Sequence, residues 1–403
     1  MRRVVKVSRI RIIITIIVVV LTTLLTGCTG KEPNEIAYVV ALGIDSTDDD
    51  NYKITIQYAN TTQISGGASE SGGKAGSEIV DNVTIEAPNI YAGVGLANNI
   101  VSKSFSMSHA KLIVFSKEIA EKGVKDMIET LVRSEEIRPD VFIAVANTTA
   151  NDYLTSVNPE MEVNPAQYYQ LIYQKNQLVG IPDGQLREFF TGLYTDNYDS
   201  ILPVAGVIEG SGGNSQNDDK GQSKDGQNEG SEGSSESLDS FESKSSNEKD
   251  ENEKEKDAEK NTSKYEYDIK NYVGGETAIE KKNKAEAIGA AVFEKDKMVG
   301  ELGEVETEIC KMLKGDYTYS YLTYYNNDTP DIPITVKTTQ QKKPKYKIDT
   351  DKKTVDIELY IESDLYSLPA DYNVENKIED FERDVANYTS SACTEFILSL
   401  IHI

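Results

Sequence analysis

Residues 209–264 hold almost nothing that a folded core could use. Across this run of Gly, Ser, Asn, Asp, Glu and Lys, the apolar side chains are Leu238, Phe241 and Ala258. Sixteen acidic and eight basic residues leave it at net −8. So little apolar surface cannot offset the entropy of ordering the backbone, and a disordered acidic linker is expected at 208–266. The 403-residue chain must therefore build its cores from what comes before and after. Those stretches set the expected domains at 28–207 and 267–403, the second with two subdomains.

The rest of the composition excludes whole classes of chemistry. With 42 Lys+Arg against 67 Asp+Glu, the chain stands at −25. It divides into a +5 leader, the −8 linker and about −22 on the remainder. A chain of that sign has no general phosphate-neutralising field, so no nucleic acid is expected as a partner. Multi-histidine metal sites and most nucleophile-plus-histidine machinery would have only His109 and His402 to draw on.

The N-terminus reads as an address. Arg2, Arg3, Lys6, Arg9 and Arg11 precede an apolar run, Ile12 to Leu25, that ends at Thr26-Gly27-Cys28. Fourteen residues are short for a spanning helix, which needs roughly 20, but suit a signal-peptide core. Leu25, Thr26 and Gly27 before Cys28 fit a lipobox, in which small residues admit a peptidase that cuts ahead of a diacylglyceryl-modified cysteine. Residues 1–27 are expected to be a lipoprotein signal peptide and Cys28 the lipid attachment site. Two acyl chains suffice for stable anchoring. An uncleaved anchor with a chance cysteine is the alternative. Cys310 and Cys393, an unpatterned pair, are expected as small buried hydrophobes without a disulfide.

Hydrophobic periodicity places the elements. Glu35–Asp45 reads as a buried strand, and Tyr52, Ile54, Ile56 and Tyr58 alternate as in a half-buried one. Helical spacing links Ile90, Val94, Ala97, Val101 and Phe105, then Ile119, Val124, Met127, Ile128 and Leu131. Strands are expected at 111–115, 141–146 and 288–293. A helix face is marked by Val305, Ile309, Met312 and Leu313, and a Tyr-rich stretch covers 317–325. Alternating strands follow at 332–336 and 355–361, and a long amphipathic helix begins near Val374. The fold class expected is α+β: two to three mixed α/β domains, with strands and helices in separate small sheets joined by the linker. Residues 398–403 (Leu-Ser-Leu-Ile-His-Ile) match the translation of a transposon-end adapter used in sequencing libraries, and the helix runs into them without a stop signal. They are expected to be a sequencing artefact, with a truncated C-terminal domain and a non-native His402; an ordinary apolar tail is the alternative.

Gly67–Ala75 lacks the first glycine and the magnesium-binding Ser/Thr of a phosphate loop. Asp45–Asn51 lacks the turn glycine and closing glutamate of a calcium loop, and reads as a hairpin turn. His109 precedes a strand with no nucleophile or orienting acid evident in sequence, so a structural histidine is expected. Arg133, Glu135, Glu136 and Arg138 read as a capping and ion-pair cluster, or as a partner surface. No catalytic residue, metal ligand or cofactor site is assigned.

Taken together, several motifs carry a resemblance. Ala41-Leu42-Gly43-Ile44-Asp45 follows the lipobox, with Gln57 on the next strand. Ser108-His109-Ala110-Lys111 precedes a strand and Arg133-Ser134-Glu135-Glu136-Ile137-Arg138 follows a helix. Ala290-Ala291-Val292-Phe293 leads into Asp296-Lys297-Met298-Val299-Gly300-Glu301-Leu302. In order and spacing the chain resembles the Ger(x)C spore-germination lipoproteins, the C subunits of nutrient germinant receptors. The resemblance implies a non-catalytic subunit serving receptor assembly and signalling, and no cofactor. It implies integral-membrane A and B subunits as partners, and a place on the outer face of the spore inner membrane, held by a palmitate-type lipid on Cys28. Gly43, Asp45, His109, Arg133, Glu136 and Gly300 match its motifs in structural roles. A longer acidic insert departs from the family pattern. A solute-binding lipoprotein of a transporter is the alternative, and an exported hydrolase a third reading.

Overall fold

The structure, a computed structural model, describes residues 11–20, 35–49, 51–60, 80–159, 162, 164–174, 180–208, 271–277, 283–326, 329–368 and 378–400. Residues 209–266 of the expected linker, 267–270 after it, the expected lipobox with Cys28, Gly67–Ala75 and His402 lie outside them.

The first sheet is larger than expected from the spacing of its strands. It runs through β1 (Ile36–Ser46), β2 (Tyr52–Ala59), β3 (Val80–Ala87), β4 (Ser104–Ser106), β5 (Leu112–Ser116), β6 (Phe142–Ala146), β7 (Ile201–Val207), β8 (Ala285–Glu294) and β9 (Lys297–Leu302). The order is β3-β2-β1-β5-β6-β7-β8-β9, and β4 pairs with the start of β1. Strands β1, β5, β6 and β7 are parallel; the flanking pairs are antiparallel. Parallel strands need both faces covered, and the helices supply the cover. On one face Ile113, Phe115, Ile143 and Val145 meet α1 (Ile90–Ala97), α2 (Lys117–Lys122), α3 (Lys125–Val132) and α6 (Leu186–Leu193). On the other, Leu112, Val114, Phe142 and Ala144 meet α4 (Ala150–Ser156) and α5 (Pro165–Gln174).

Two-sided cover corrects the reading of β2 as half-buried. Thr55 and Gln57, its polar positions, are as fully buried as Ile54 and Ile56. The two helical periodicities are also corrected. α1 stops at Ala97, where Asn98 turns the chain and its Oδ1 accepts the Phe105 N–H at 2.8 Å, so Phe105 enters β4. The second pattern is two helices, α2 and α3, broken at Gly123, whose φ of +121° continues no helix. Glycine is needed for space at Gly43, where α4 crosses β1. A Cβ there would stand 2.9 Å from Leu154 Cδ1 and 3.1 Å from Ala150 Cβ.

β7 and β8 come from opposite sides of residues 209–270, yet pair from Ile201↔Val292 to Val207↔Ala285. Ile208 N–H donates to Lys284 C=O at 2.8 Å, closing the base of the excursion. The β8–β9 hairpin then returns to α2 through Val124 N–H to Asp296 C=O at 3.0 Å and the Lys117–Glu301 ion pair at 3.0 Å. Phe293 stands edge-to-face on Phe189 with centroids 5.0 Å apart.

The second sheet is small: β10 (Tyr319–Asn326), β11 (Thr329–Asp349) and β12 (Thr354–Ser367), all antiparallel. α7 (Glu304–Lys314) begins at Gly303, whose N–H donates to the Glu306 carboxylate at 2.9 Å, and it ends on left-handed Gly315. It joins the two sheets in one cluster with Ala290, Leu302, Ile309, Cys393 and Phe396. α8 (Ile378–Leu400) lies over β10, with Phe381 and Tyr388 against Tyr324. β11 covers its Ile334 and Val336 completely, whereas Val355 of β12 is 56% exposed beside an apolar groove of about 1120 Å³ between β12 and α8. Cys310 and Cys393 are both free; burial pushes the Cys393 thiol up to about 11.

Gly43→Val should cost about 1–3 kcal/mol by overpacking α4 against β1, read as a lower urea midpoint at unchanged m. A midpoint equal to the parent would remove the close-approach account. Glu308 on α7 supplies a pH prediction. Burial holds its carboxyl up at about 7, opposed by the Ser320 hydroxyl at 2.6 Å and by Lys311, and reinforced by Glu304. A raised carboxyl favours the fold while protonated, so its contribution is full below the unfolded value near 4.5 and is lost as pH rises through about 7. Glu308→Gln should flatten the pH 5 to pH 8 stability difference by up to about 3 kcal/mol. An unchanged pH profile would show that Glu308 does not couple to folding.

Candidate functional site

The motif residues fall into two constellations. At the C-terminal end of β1, the buried Asp45 carboxylate accepts the Ala150 N–H at 2.6 Å and the Asn151 N–H at 3.0 Å, and so seats the N-terminus of α4. Burial raises its pKa; the two backbone donors and Lys53 act in the opposite direction. Below it, Gln57 donates to Leu154 C=O at 2.8 Å and Asn82 Oδ1 at 3.1 Å, and accepts from Tyr169 OH at 2.5 Å. Tyr153 and Tyr173 share a hydroxyl–hydroxyl bond of 3.0 Å in the same layer. Asp45 to α4 and Gln57 to Leu154 and Tyr169 tie strand to helix, Gln57 to Asn82 ties β2 to β3, and Tyr153 to Tyr173 ties α4 to α5. Gly43, Asp45 and Gln57 form a structural latch.

The second constellation is exposed. It lies where β1, β5 and β6 begin, because β4 runs beside Ile36–Tyr38 and the 98–111 and 133–141 connections meet there. Glu136 accepts the Met107 N–H at 2.6 Å, so the Arg133–Arg138 motif holds the segment just before His109. Ser134 Oγ accepts the Glu136 and Ile137 N–H groups, both at 3.2 Å. Arg133 pairs with Glu129, and Arg138 grips Asp140 through two bonds of 3.0 and 3.2 Å. Tyr91, Val94, Phe105, Met107, Arg133 and Glu135 help line a shallow groove of about 730 Å³ here.

His109 sits at the rim. Its ring lies edge-on to Tyr38 at 4.7 Å, and its Nδ1 is 3.1 Å from the Ser108 hydroxyl. A serine and a histidine are thus within reach of each other, but among the described residues no carboxylate hydrogen-bonds the imidazole, and the ring is exposed rather than set in a cleft. Among the described residues no group of three or more His, Cys, Asp or Glu side chains could hold a metal. Gly300 pairs with Val292 at a bulge of the β8–β9 hairpin, far in sequence from His109 but in the same sheet.

A further charged cavity of about 360 Å³ was not foreseen from the sequence. It lies between the loop before α6 and the end of α7, lined by Asp183, Glu188, Lys311, Lys314 and Asp316. Lys311 Nζ donates to Ile181 C=O at 3.2 Å; burial lowers its pKa, and Glu308, Asp316 and Asp183 oppose that. Its members lie some 130 residues apart, so no local motif could have announced it. Only Lys311 among these charges is buried; Asp183, Glu188, Lys314 and Asp316 are exposed around it.

Glu136→Ala should release the 104–110 segment, with roughly ten-fold faster amide exchange at Met107, while Glu135→Ala leaves it unchanged. Equal exchange in both variants would deny Glu136 that positioning role.

Comparison with known proteins agrees with the motif order. Residues 30–207 match the family described as Spore germination protein N-terminal domain, and residues 288–401 match Spore germination B3/GerAC like, C-terminal. Spore germination protein KC of Bacillus subtilis (strain 168) is 26% identical over 174 residues, covering 40% of this chain and 42% of that protein. Spore germination protein GerQC of Bacillus cereus is 27% identical over 104 residues, covering 26% of this chain and 29% of that protein. The chain thus spans well under half the length of these curated relatives. The crystal structure of the GerBC protein is similar with a TM-score of 0.42 and 15% identity, covering 88% of this chain and 80% of that one. With both segments matched in order on either side of the acidic linker, the chain belongs to the Ger(x)C family of spore germination proteins.

Proposed function

We propose that the protein is the non-catalytic, lipid-anchored C subunit of a spore nutrient germinant receptor. It is attached through Cys28 to the outer face of the spore inner membrane and works with integral-membrane A and B subunits. The observation that carries this reading is the ordered match of both germination segments behind a basic leader and a lipobox at Leu25–Cys28. Among the described residues no helix is long and apolar enough to cross a membrane. The lipobox reading of Leu25–Cys28 is what supports a lipid as the attachment. The exposed cluster around Glu136 and His109 is a surface where a partner could bind without chemistry. Its hydrogen bonds position backbone and aim no nucleophile at an opening.

The solute-binding alternative calls for two lobes closing on a cleft. It draws no support from a sheet that continues unbroken from β3 to β9.

Replacing Cys28→Ala in the producing strain should abolish nutrient-triggered loss of spore refractility while leaving sporulation intact, and the parental gene should restore it. Normal nutrient germination in the verified variant would contradict the proposal.

A further inference from the structure

The tether that holds this chain to a membrane also fixes which end of the fold meets it, an inference that rests on the lipid-anchor reading above. Seven residues, and so eight Cα–Cα steps, lie between Cys28 and Ile36, the first residue of β1. Fully extended they reach at most about 28 Å, and a flexible chain of that length averages roughly 16 Å end to end. β1 itself, at about 3.3 Å per residue, carries the chain roughly 33 Å from Ile36 to Ser46. The tether is shorter than the strand it leads into. The end of the sheet where the parallel strands start is therefore held near the lipid, and the opposite end cannot reach it without the tether running back along the whole strand.

The surface at that end fits the assignment. Among the described residues of 35–208, four aliphatic side chains stand out as exposed: Leu96, Ile100, Val132 and Leu171. Three of them are at the strand-start end. Leu96 is in the last turn of α1, Ile100 is in the loop before β4, and Val132 closes α3. Ile100 is 68% exposed, four residues ahead of the strand that pairs with Ile36–Tyr38. A loop whose base is fixed by the Asn98–Phe105 hydrogen bond presents it beyond the edge of the sheet. Exposed carboxylates stand at both ends, Asp48 and Asp49 at the β1–β2 turn and Glu135, Glu136 and Asp140 near the strand starts, so the tether and the aliphatic side chains, not charge, separate the two ends.

We propose that the strand-start end of the sheet, led by Ile100 with Leu96 and Val132, rests on the lipid bilayer and that Ile100 enters its interfacial layer. Side chains of this kind seat about 5–10 Å into the headgroup and acyl boundary. Burying one or two aliphatics adds little affinity to a two-chain anchor. Its consequence is orientation: it turns a tethered domain into one with a defined membrane-facing side.

The chain contains no tryptophan, so one introduced residue is an unambiguous probe. The test uses full-length lipidated protein bearing Ile100→Trp, or Thr148→Trp at the far end, bound to phosphatidylethanolamine/phosphatidylglycerol vesicles with or without brominated acyl chains. Flotation measures binding separately. The expected result is roughly two-fold or greater bromolipid quenching of the Ile100→Trp probe and none at Thr148→Trp. Leu96→Trp provides a second probe should Ile100→Trp fail to fold. Protein that floats but shows no quenching at position 100 or 96, or equal quenching at 148, overturns the orientation while leaving the anchor reading intact. Protein that does not float overturns both.

Discussion

Everything else in this fold depends on the antiparallel pairing of β7 with β8. β7 is the last strand before the acidic stretch, and β8 is the first after it. Without β8, β7 would present a seven-residue apolar edge, and such edges invite association with other chains. Without β7, the β8–β9 hairpin would lose its ladder to the rest of the sheet and keep only the Phe293–Phe189 contact with α6 and the Asp296 and Glu301 contacts around α2. The pairing is bought at high contact order: the ends of the two strands come together from positions more than seventy residues apart, so closure is slow and favours prior formation of the β1–β7 layer.

That dependence gives the two family segments a physical meaning. They are separate in sequence, but the first sheet takes seven strands from one and two from the other. The hairpin around Gly300 is therefore the edge of a sheet begun at Ile36, and α7 then carries the chain to the three-stranded sheet. A long acidic insert is tolerable at this point because the chain leaves and re-enters at a hydrogen-bonded base, Ile208 to Lys284, and loop-closure cost grows only slowly with length.

Much of the strand content was legible in the sequence, and for a clear reason. β1, β5 and β6 are continuous apolar runs because both faces are covered, and their composition records that burial directly. The helices were less legible. The period linking Ile119 to Leu131 crosses Gly123 without a break in pattern, so only the backbone angle reveals two helices. Gln57 is the instructive miss on β2: an alternating strand predicts it outside, and it is buried because Leu154, Asn82 and Tyr169 satisfy its amide. The site was visible as a list of motifs but not as a place. Nothing local joins Met107 to Glu136, twenty-nine residues away, or puts Ile36 beside Ser104.

If the two segments form one cooperative sheet across the acidic stretch, cutting the chain at a protease site placed within residues 209–264 should leave that sheet whole. Amide hydrogen exchange of the cut full-length chain reads this: the two fragments stay associated, and β7 and β8 amides keep the protection they have in the uncut chain. Separation of the fragments, or loss of protection in β7 while β1 and β5 retain theirs, would contradict a single cooperative sheet.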